Sequence, residues 1–230
     1  AICENKYLMY RHFEGKIDVP EFYLVKTMAE LIEAAEKLGY PEKDVVFKPP
    51  EGKGARGVRV LTEKSDRYDL LFNGRPFAKF ISMDELKSTV GKKEIPALMI
   101  MEYLDGGELK IDPVLQNGEI LTCSVKNRLN FASGLAMGFE MIEDNAALDY
   151  AKKLLEHLPM DYCIDISTRG GVLMEINPRV STYIYGENYC APYLSLKLAM
   201  GEMSADEVRN YQKELPIGKK MFRYYGQVDY

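Results

Sequence analysis

Three oxygen-bearing side chains and a guanidinium crowd into one short stretch, "YCIDISTRGGVLMEINPRVST": Asp165, Glu175, Asn177 and Arg179. The last three fall at every second position, with Met174, Ile176 and Pro178 between or beside them. Strand side chains alternate between faces, so Cys163, Asp165 and Ser167 share one face of the preceding strand. A three-residue turn at Arg169-Gly170-Gly171 pairs Thr168 with Val172, and therefore Asp165 with Glu175. Like charges directly opposite one another destabilise a sheet. Exposure to solvent, a raised pKa or an intervening cation would each relieve the conflict, and a polar face turned simply to water is the plain alternative. Two carboxylates and an amide are hard-oxygen donors suited to Mg²⁺, with Mn²⁺ as a substitute. Such ions are commonly completed by substrate phosphates, so the pattern asks for a phosphate site elsewhere.

"VVFKPPEGKGARGVRVL" offers one. Gly52, Gly54 and Gly57 form G-x-G-x-x-G, but the loop leads into the strand-like "VRVL". A dinucleotide-binding loop must open a helix, and no G-K-[ST] supplies a P-loop. The glycines also match the start of a kinase loop, yet no H-R-D or D-F-G follows. A glycine hairpin over phosphates fits better: backbone N–H groups approach an anion where no side chain intrudes. Lys53 and Arg56 add charge at its tip and Lys48 on the incoming strand. A solvated, flexible hairpin has the same composition.

Further on, "ALMIMEYLDGGELKIDPVL" carries an apolar strand into Glu102, Tyr103 and Leu104, then a glycine pair and Glu108. Backbone groups at such a strand end can meet adenine, and a carboxylate a few residues on can accept from ribose hydroxyls. The alternative is a buried strand, a turn and a surface Glu108. Pro113 interrupts "LKIDPVL", so Asp112 is expected at a strand end or sheet edge.

These residues need a scaffold of alternating helices and strands. Thr27 with Glu30 and Ser204 with Glu207 read as capping boxes, and Ser82 with Glu85 repeats the design. Further helices are expected in "NKYLMYRHFEGK", "NAALDYAKKLLEHL" and "NYCAPYLSLKLAM". Strand-like runs follow one another without helices from "LKIDPVL" to "LAMGFEMI", which predicts hairpins and an α+β class with antiparallel pairing. A soft boundary near "YLDGGE" divides residues 1–103 from 104–230.

The 230 residues carry a net charge of −5, which argues against nucleic-acid or anionic-membrane partners. No apolar run reaches the roughly 18 residues of a membrane span. Four cysteines without a C-x-x-C pair read as reduced thiols of a cytoplasmic protein. His12 and His157 make no zinc pattern. The chain starts at Ala1, as a processed chain or a piece of a longer one would.

Taken in order, "NKYLMYRHFEGKIDVPEFYLV", "VVFKPPEGKGARGVRVL", "MEYLDGGELKIDPVL", "IDISTRGGVLMEINPRVST" and "LSLKLAMGEMSADEV" resemble the ATP-grasp superfamily in its carbamoyl-phosphate-synthetase-like form. The resemblance implies a two-lobed α+β fold holding ATP between two largely antiparallel sheets. It assigns Lys48 and Lys6 to the nucleotide, with Gly52, Lys53, Gly54, Arg56 and Gly57 closing over its phosphates. Glu102, Tyr103 and Leu104 match the adenine contacts and Glu108 the ribose acid. Asp165, Glu175 and Asn177 match the Mg²⁺ positions, Arg179 the residue facing the γ-phosphate or acyl-phosphate, and Arg128, in "SVKNRLNFASG", is similar to a basic catalytic-site residue after the preceding strand in some members. The implied activity joins a small carboxylate to an amine through an acyl-phosphate. An ATP-binding module without ligase activity is the alternative. The family usually carries an N-terminal domain before these lobes, which is expected here to be removed, on another chain or absent, so that domain or a partner chain is an expected partner, and a homo-oligomer is compatible. Tyr183, Tyr185 and Tyr189 either line an acceptor pocket or pack at a helix start.

Overall fold

A computed structural model describes residues 2–52, 56–66, 68, 79–132, 135–182, 186–222 and 226, with backbone alone at 130–132 and 135–136. Lys53, Gly54, Tyr183 and Tyr185 lie outside the described residues. The chain forms two compact units. One is Ala1–His12 with Pro20–Leu104; the other is Phe13–Val19 with Asp105–Tyr230.

In the first unit, helix α1 (Lys6–Phe13) precedes strand β1 (Phe22–Val25) and helix α2 (Met28–Lys37). Both halves of the α2 capping box form: Thr27 accepts from the Glu30 N–H, and Glu30 accepts from the Thr27 N–H. Strands β2 (Val45–Lys48), β3 (Arg59–Leu61) and β4 (Phe80–Ile81), helix α3 (Met83–Val90) and strand β5 (Leu98–Glu102) complete it. At α3 only Ser82 caps, accepting from the Glu85 N–H. The sheet order is β1-β5-β2-β3-β4, antiparallel except for the parallel β3–β4 pair. Its core joins Leu31 and Ala35 of α2 to Val45, Phe47, Leu61 and Ile100, all removed from water, which is the main stabilising term of such a layer.

The second unit is a seven-stranded sheet of β6 (Glu108–Gln116), β7 (Glu119–Ala132), β8 (Leu135–Ile142), β9 (Tyr162–Cys163), β10 (Asp165–Arg169), β11 (Val172–Asn177) and β12 (Lys220–Phe222). The order is β11-β10-β6-β7-β8-β12, with β9 also on β6 and every pair antiparallel. Helices α4 (Asn145–His157), α5 (Ala191–Ala199) and α6 (Ala205–Arg209) belong to it. The Ser204/Glu207 capping box forms at α6. Tyr189 lies fully buried with Val114, Leu194 and Leu198, so it packs in the core as the plainer of its two readings required.

Two sequence expectations are corrected here. First, β6 runs unbroken through Pro113, which stands opposite Cys123. The Cys123 N–H turns away from β6 and donates to Gln212 Oε1 at 2.8 Å. The pair is thus not hydrogen-bonded to itself, and the proline's missing donor faces the other side. There the pairing with β10 stops at Ile111 and resumes with β9 at Val114 in the same register, so the proline sits in the gap of that ladder while β7 holds β6 continuous on its other side.

Second, the β10–β11 turn has two residues, not three. Arg169 pairs with Val172, and Gly170 and Gly171 take φ of +56° and +83°, as both central residues of a type I′ hairpin turn must. A Cβ on Gly170 would run into the Asp105 carbonyl oxygen, and the Gly170 N–H donates to Gly107 O at 3.1 Å. Left unbroken, that register would set Glu175 opposite Ile166 on the apolar face. A bulge between Thr168↔Leu173 and Ser167↔Glu175 inserts Met174 and restores the parity. Asp165 therefore stands opposite Asn177, not Glu175, and Glu175 opposite Ser167.

Candidate functional site

The second unit's sheet has one apolar and one polar face. Ile176, Ile166, Ile111 and Val125 line up across four strands as a buried row. The neighbouring row on the opposite face reads Glu175, Ser167, Lys110, Lys126. Glu108 and Asp112 on β6, Ser124 on β7, and Asp165 and Asn177 share that face by alternation. Most of these polar groups are buried: Asp165 is 2% exposed and Lys126 0%. Buried charges must be paired, and the pairs organise the site.

Asp165, Glu175 and Asn177 converge. Asn177 Nδ2 donates to Asp165 Oδ2 at 3.4 Å and to Glu175 Oε1 at 3.2 Å. Half a turn of the amide brings its oxygen to the same place. This donor set fits a hard divalent cation. Among the described residues no three His, Cys, Asp or Glu side chains gather as a metal cluster, and the third donor here is the amide. Two protein cations stand beside the carboxylates. Lys110 Nζ donates to both Asp165 oxygens at 3.0 and 3.1 Å, also reaches Ser167 Oγ, and lies 3.9 Å from Glu175 Oε1. Arg179 Nη1 lies 3.8 Å from Asp165 Oδ2, with its side chain 60% exposed. The relief that the sequence demanded for neighbouring carboxylates is thus supplied in part by Lys110, which motif reading passed over.

Glu108 is buried, against the surface alternative, and holds Arg128 and Arg169, the latter at 3.1 Å. Lys126 Nζ pairs with Asp112 Oδ2 at 2.8 Å, donates to the Thr182 carbonyl at 2.6 Å, and sits 5.2 Å above the Phe139 ring. It thereby ties the backbone just beyond Arg179 to the sheet. Burial pushes the Asp112 carboxyl up from its ordinary range, against the opposing pull of Lys126. Alternation within "ELKID", "SVKNR" and "DISTR" was the signal that could have found Lys110, Lys126 and Arg169.

In the first unit, Lys48 is buried with Nζ 5.5 Å over the Tyr10 ring. Lys6 Nζ donates to Gly52 O at 2.9 Å, and the Asn5–Glu51 bridge fixes the same stem of the glycine loop. Gly57 has φ +75°, and a Cβ there would press on the Pro49 ring. Arg56 is exposed in the turn. Glu102 ends β5 and accepts from the Glu21 N–H at 3.3 Å; Tyr103 and Leu104 follow it half-buried.

Comparison with known proteins agrees with this architecture. The family model described as ATP-grasp in the biosynthetic pathway with Ter operon matches residues 94–219, more than half of the chain. The carbamoyl phosphate synthase large chain of Methanobrevibacter smithii is 25% identical over 223 residues, covering 90% of this chain and 20% of that one. The structure resembles carboxyaminoimidazole ribonucleotide synthase from Aspergillus clavatus, solved with ATP, at a TM-score of 0.64 and 15% identity, covering 90% of this chain and 54% of that one. It also resembles the L-amino acid ligase of Bacillus licheniformis at a TM-score of 0.59 and 18% identity, covering 90% and 51%. The chain spans about a fifth of the curated relative and about half of these two structures. Two antiparallel-dominated sheets with flanking helices and a family match across the second unit lead to one conclusion: the chain belongs to the ATP-grasp family.

Proposed function

We propose that this chain is the ATP-using part of an ADP-forming ligase that activates a small carboxylate as its acyl-phosphate and passes the acyl group to an amine. Lys48, Lys6 and the loop Gly52–Gly57, with Lys53, Gly54 and Arg56, bind the phosphates. Glu102, Tyr103 and Leu104 meet adenine, and Glu108 meets ribose. Asp165, Glu175 and Asn177 hold Mg²⁺, or Mn²⁺ in its place. When bound, the ion neutralises charge on the phosphate oxygens. Arg179 faces the transferred phosphoryl group, with Arg128, which Glu108 holds, as a second cation.

Phosphoryl transfer asks a protein for positioning and charge more than for covalent chemistry. A carboxylate substrate attacks the γ-phosphorus, ADP leaves, and the amine then displaces phosphate from the acyl carbon. The rigid polar face suits this role, because its charges are fixed by sheet pairing before substrate arrives. The observation that carries the reading is the convergence of Asp165, Glu175 and Asn177 within hydrogen-bond distance on that face.

The test is thermal stabilisation by Mg²⁺ with a non-hydrolysable ATP analogue, in the wild type, Glu175→Gln and Lys48→Met. A ligand at 100 times its Kd stabilises by about 2.7 kcal/mol. Wild type should shift and both variants should lose most of the shift. No shift in the wild type would sink the reading. The second reading is a nucleotide-binding module without ligase activity, which would show the same shift and no turnover. ADP release with pools of carboxylates and amines separates it from the first.

A further inference from the structure

We infer that Lys110 is the resident counter-ion of the metal-ligand carboxylates, displaced when a divalent cation enters and then turned toward the phosphate arriving with it. The inference rests on the metal–nucleotide reading proposed above and adds a positioning residue to it.

In this structure Asp165 is fully committed to protein donors. Its Oδ1 accepts from Lys110 at 3.0 Å and from Ser167 at 3.5 Å; its Oδ2 accepts from Lys110 at 3.1 Å and Asn177 at 3.4 Å, with Arg179 at 3.8 Å. A Mg²⁺–oxygen distance is about 2.0–2.1 Å. An ion at that distance from Asp165 would meet the ammonium head-on, so one cation must yield. Glu175 is the more open ligand, its side chain 40% exposed against 3% for Asp165.

Lys110 can yield without disturbing the fold. Its backbone is held on both sides, by Ser167 on β10 and Lys126 on β7. Its ammonium rides on a flexible stem with three rotatable donors. Retreat toward Asp112 would bring it against the like charge of Lys126, whose Nζ stands 2.8 Å from Asp112 Oδ2. Charge then dictates the destination. Asp165 and Glu175 carry two negative charges and Lys110 one positive. Adding a divalent ion leaves the cluster net positive, which a polyphosphate balances. Lys110 thus keeps buried carboxylates compensated without an ion and becomes a phosphate donor with one.

The test reads Lys110 directly in the wild-type chain. Acetylation by an amine-reactive ester is followed per lysine by mass spectrometry, with the exposed Lys152 as reference, and bound Mn²⁺ is counted by electron paramagnetic resonance. Lys110 should label slowly in the metal-free chain. Saturating Mn²⁺ should raise its rate on the order of tenfold relative to Lys152, and Mn²⁺ with a non-hydrolysable ATP analogue should slow it again. Lys110→Met should bind Mn²⁺ alone on the order of tenfold more tightly, yet bind the Mn²⁺–analogue complex more weakly. Opposite signs from one substitution are not produced by a loosened fold. Bound Mn²⁺ with unchanged Lys110 labelling overturns the inference and leaves the metal reading standing. A wild type that binds neither Mn²⁺ nor its analogue complex overturns both.

Discussion

Asp165 stands directly across the β10–β11 ladder from Asn177, and it is the bulge at Met174 that puts them there. A two-residue glycine turn alone would send Glu175 and Asn177 to the wrong parity. One extra residue repairs it, because strand side chains repeat every two. Turn and bulge must act together for the oxygen donors to share a face.

The turn is accordingly sensitive to one position more than to its neighbour. Gly170→Ala must accept a left-handed φ and push into the Asp105 carbonyl, whereas Gly171→Ala meets nothing within 4 Å. We expect Gly171→Ala to cost about 1 kcal/mol from backbone strain alone, and Gly170→Ala about 2–3 kcal/mol or more. Urea midpoints of the two variants measure the difference; equal losses would mean that the Asp105 approach is unimportant.

Lys126→Met keeps the packing against Phe139 but strands the Asp112 carboxylate in the interior. Breaking a buried pair from one side costs about 3–5 kcal/mol. Asp112 already has a raised pKa from burial, and the variant pushes it further. A raised carboxyl contributes stability when protonated and loses it as pH rises through the folded-state pKa. The deficit should therefore be large at pH 8 and shrink on acidification. Asp112→Asn in the same background should recover much of it, as denaturant titrations at both pH values would show.

Glu108→Gln separates two roles. Glu108 holds Arg128 and Arg169 in the ligand-free chain, so losing its charge should destabilise by about 2–4 kcal/mol even without nucleotide. If the same carboxylate also meets ribose, affinity for the ATP analogue falls in addition, and a 3′-deoxy analogue shows a smaller loss than ATP does. Calorimetric titration with both nucleotides checks this. An unchanged urea midpoint would refute the structural role.

Cys163 supplies a pH signature. Burial pushes its thiol up to about 11 from an ordinary 9.0, while Ser195 Oγ, 3.0 Å away, pulls weakly the other way. The folded state favours the neutral thiol, so this stabilisation is complete below pH 9 and is lost as pH rises from about 9 to 11. Cys163→Ser should make the stability curve less steep between pH 9 and 10, though not flat, because burial also pushes up the Cys123 and Cys3 thiols. A curve parallel to wild type would contradict the assignment.

Much of this was legible in the residues. The capping boxes at Thr27/Glu30 and Ser204/Glu207 are local, since each satisfies helix N–H groups within four residues, and both form. The alternation that put apolar residues on one side of "YCIDIS" and oxygen donors on the other is equally local, and the ordered blocks sufficed to identify the family. Register was not legible: "STRGGV" admits a two- or three-residue turn, and the choice depends on Asp105–Gly107 packing against Gly170, more than sixty residues away in sequence. Pro113 was misread because a gap in one ladder does not end a strand held by another: the pairing to β10 stops at Ile111 and resumes to β9 at Val114, while β7 pairs with β6 straight through the proline. Lys110 had no motif to announce it. Residue types and short spacings determined which groups could do chemistry; only long-range strand pairing decided that an ammonium from β6 would lie between the carboxylates of β10 and β11, because a side chain's partners are set by the neighbouring strand, not by its own.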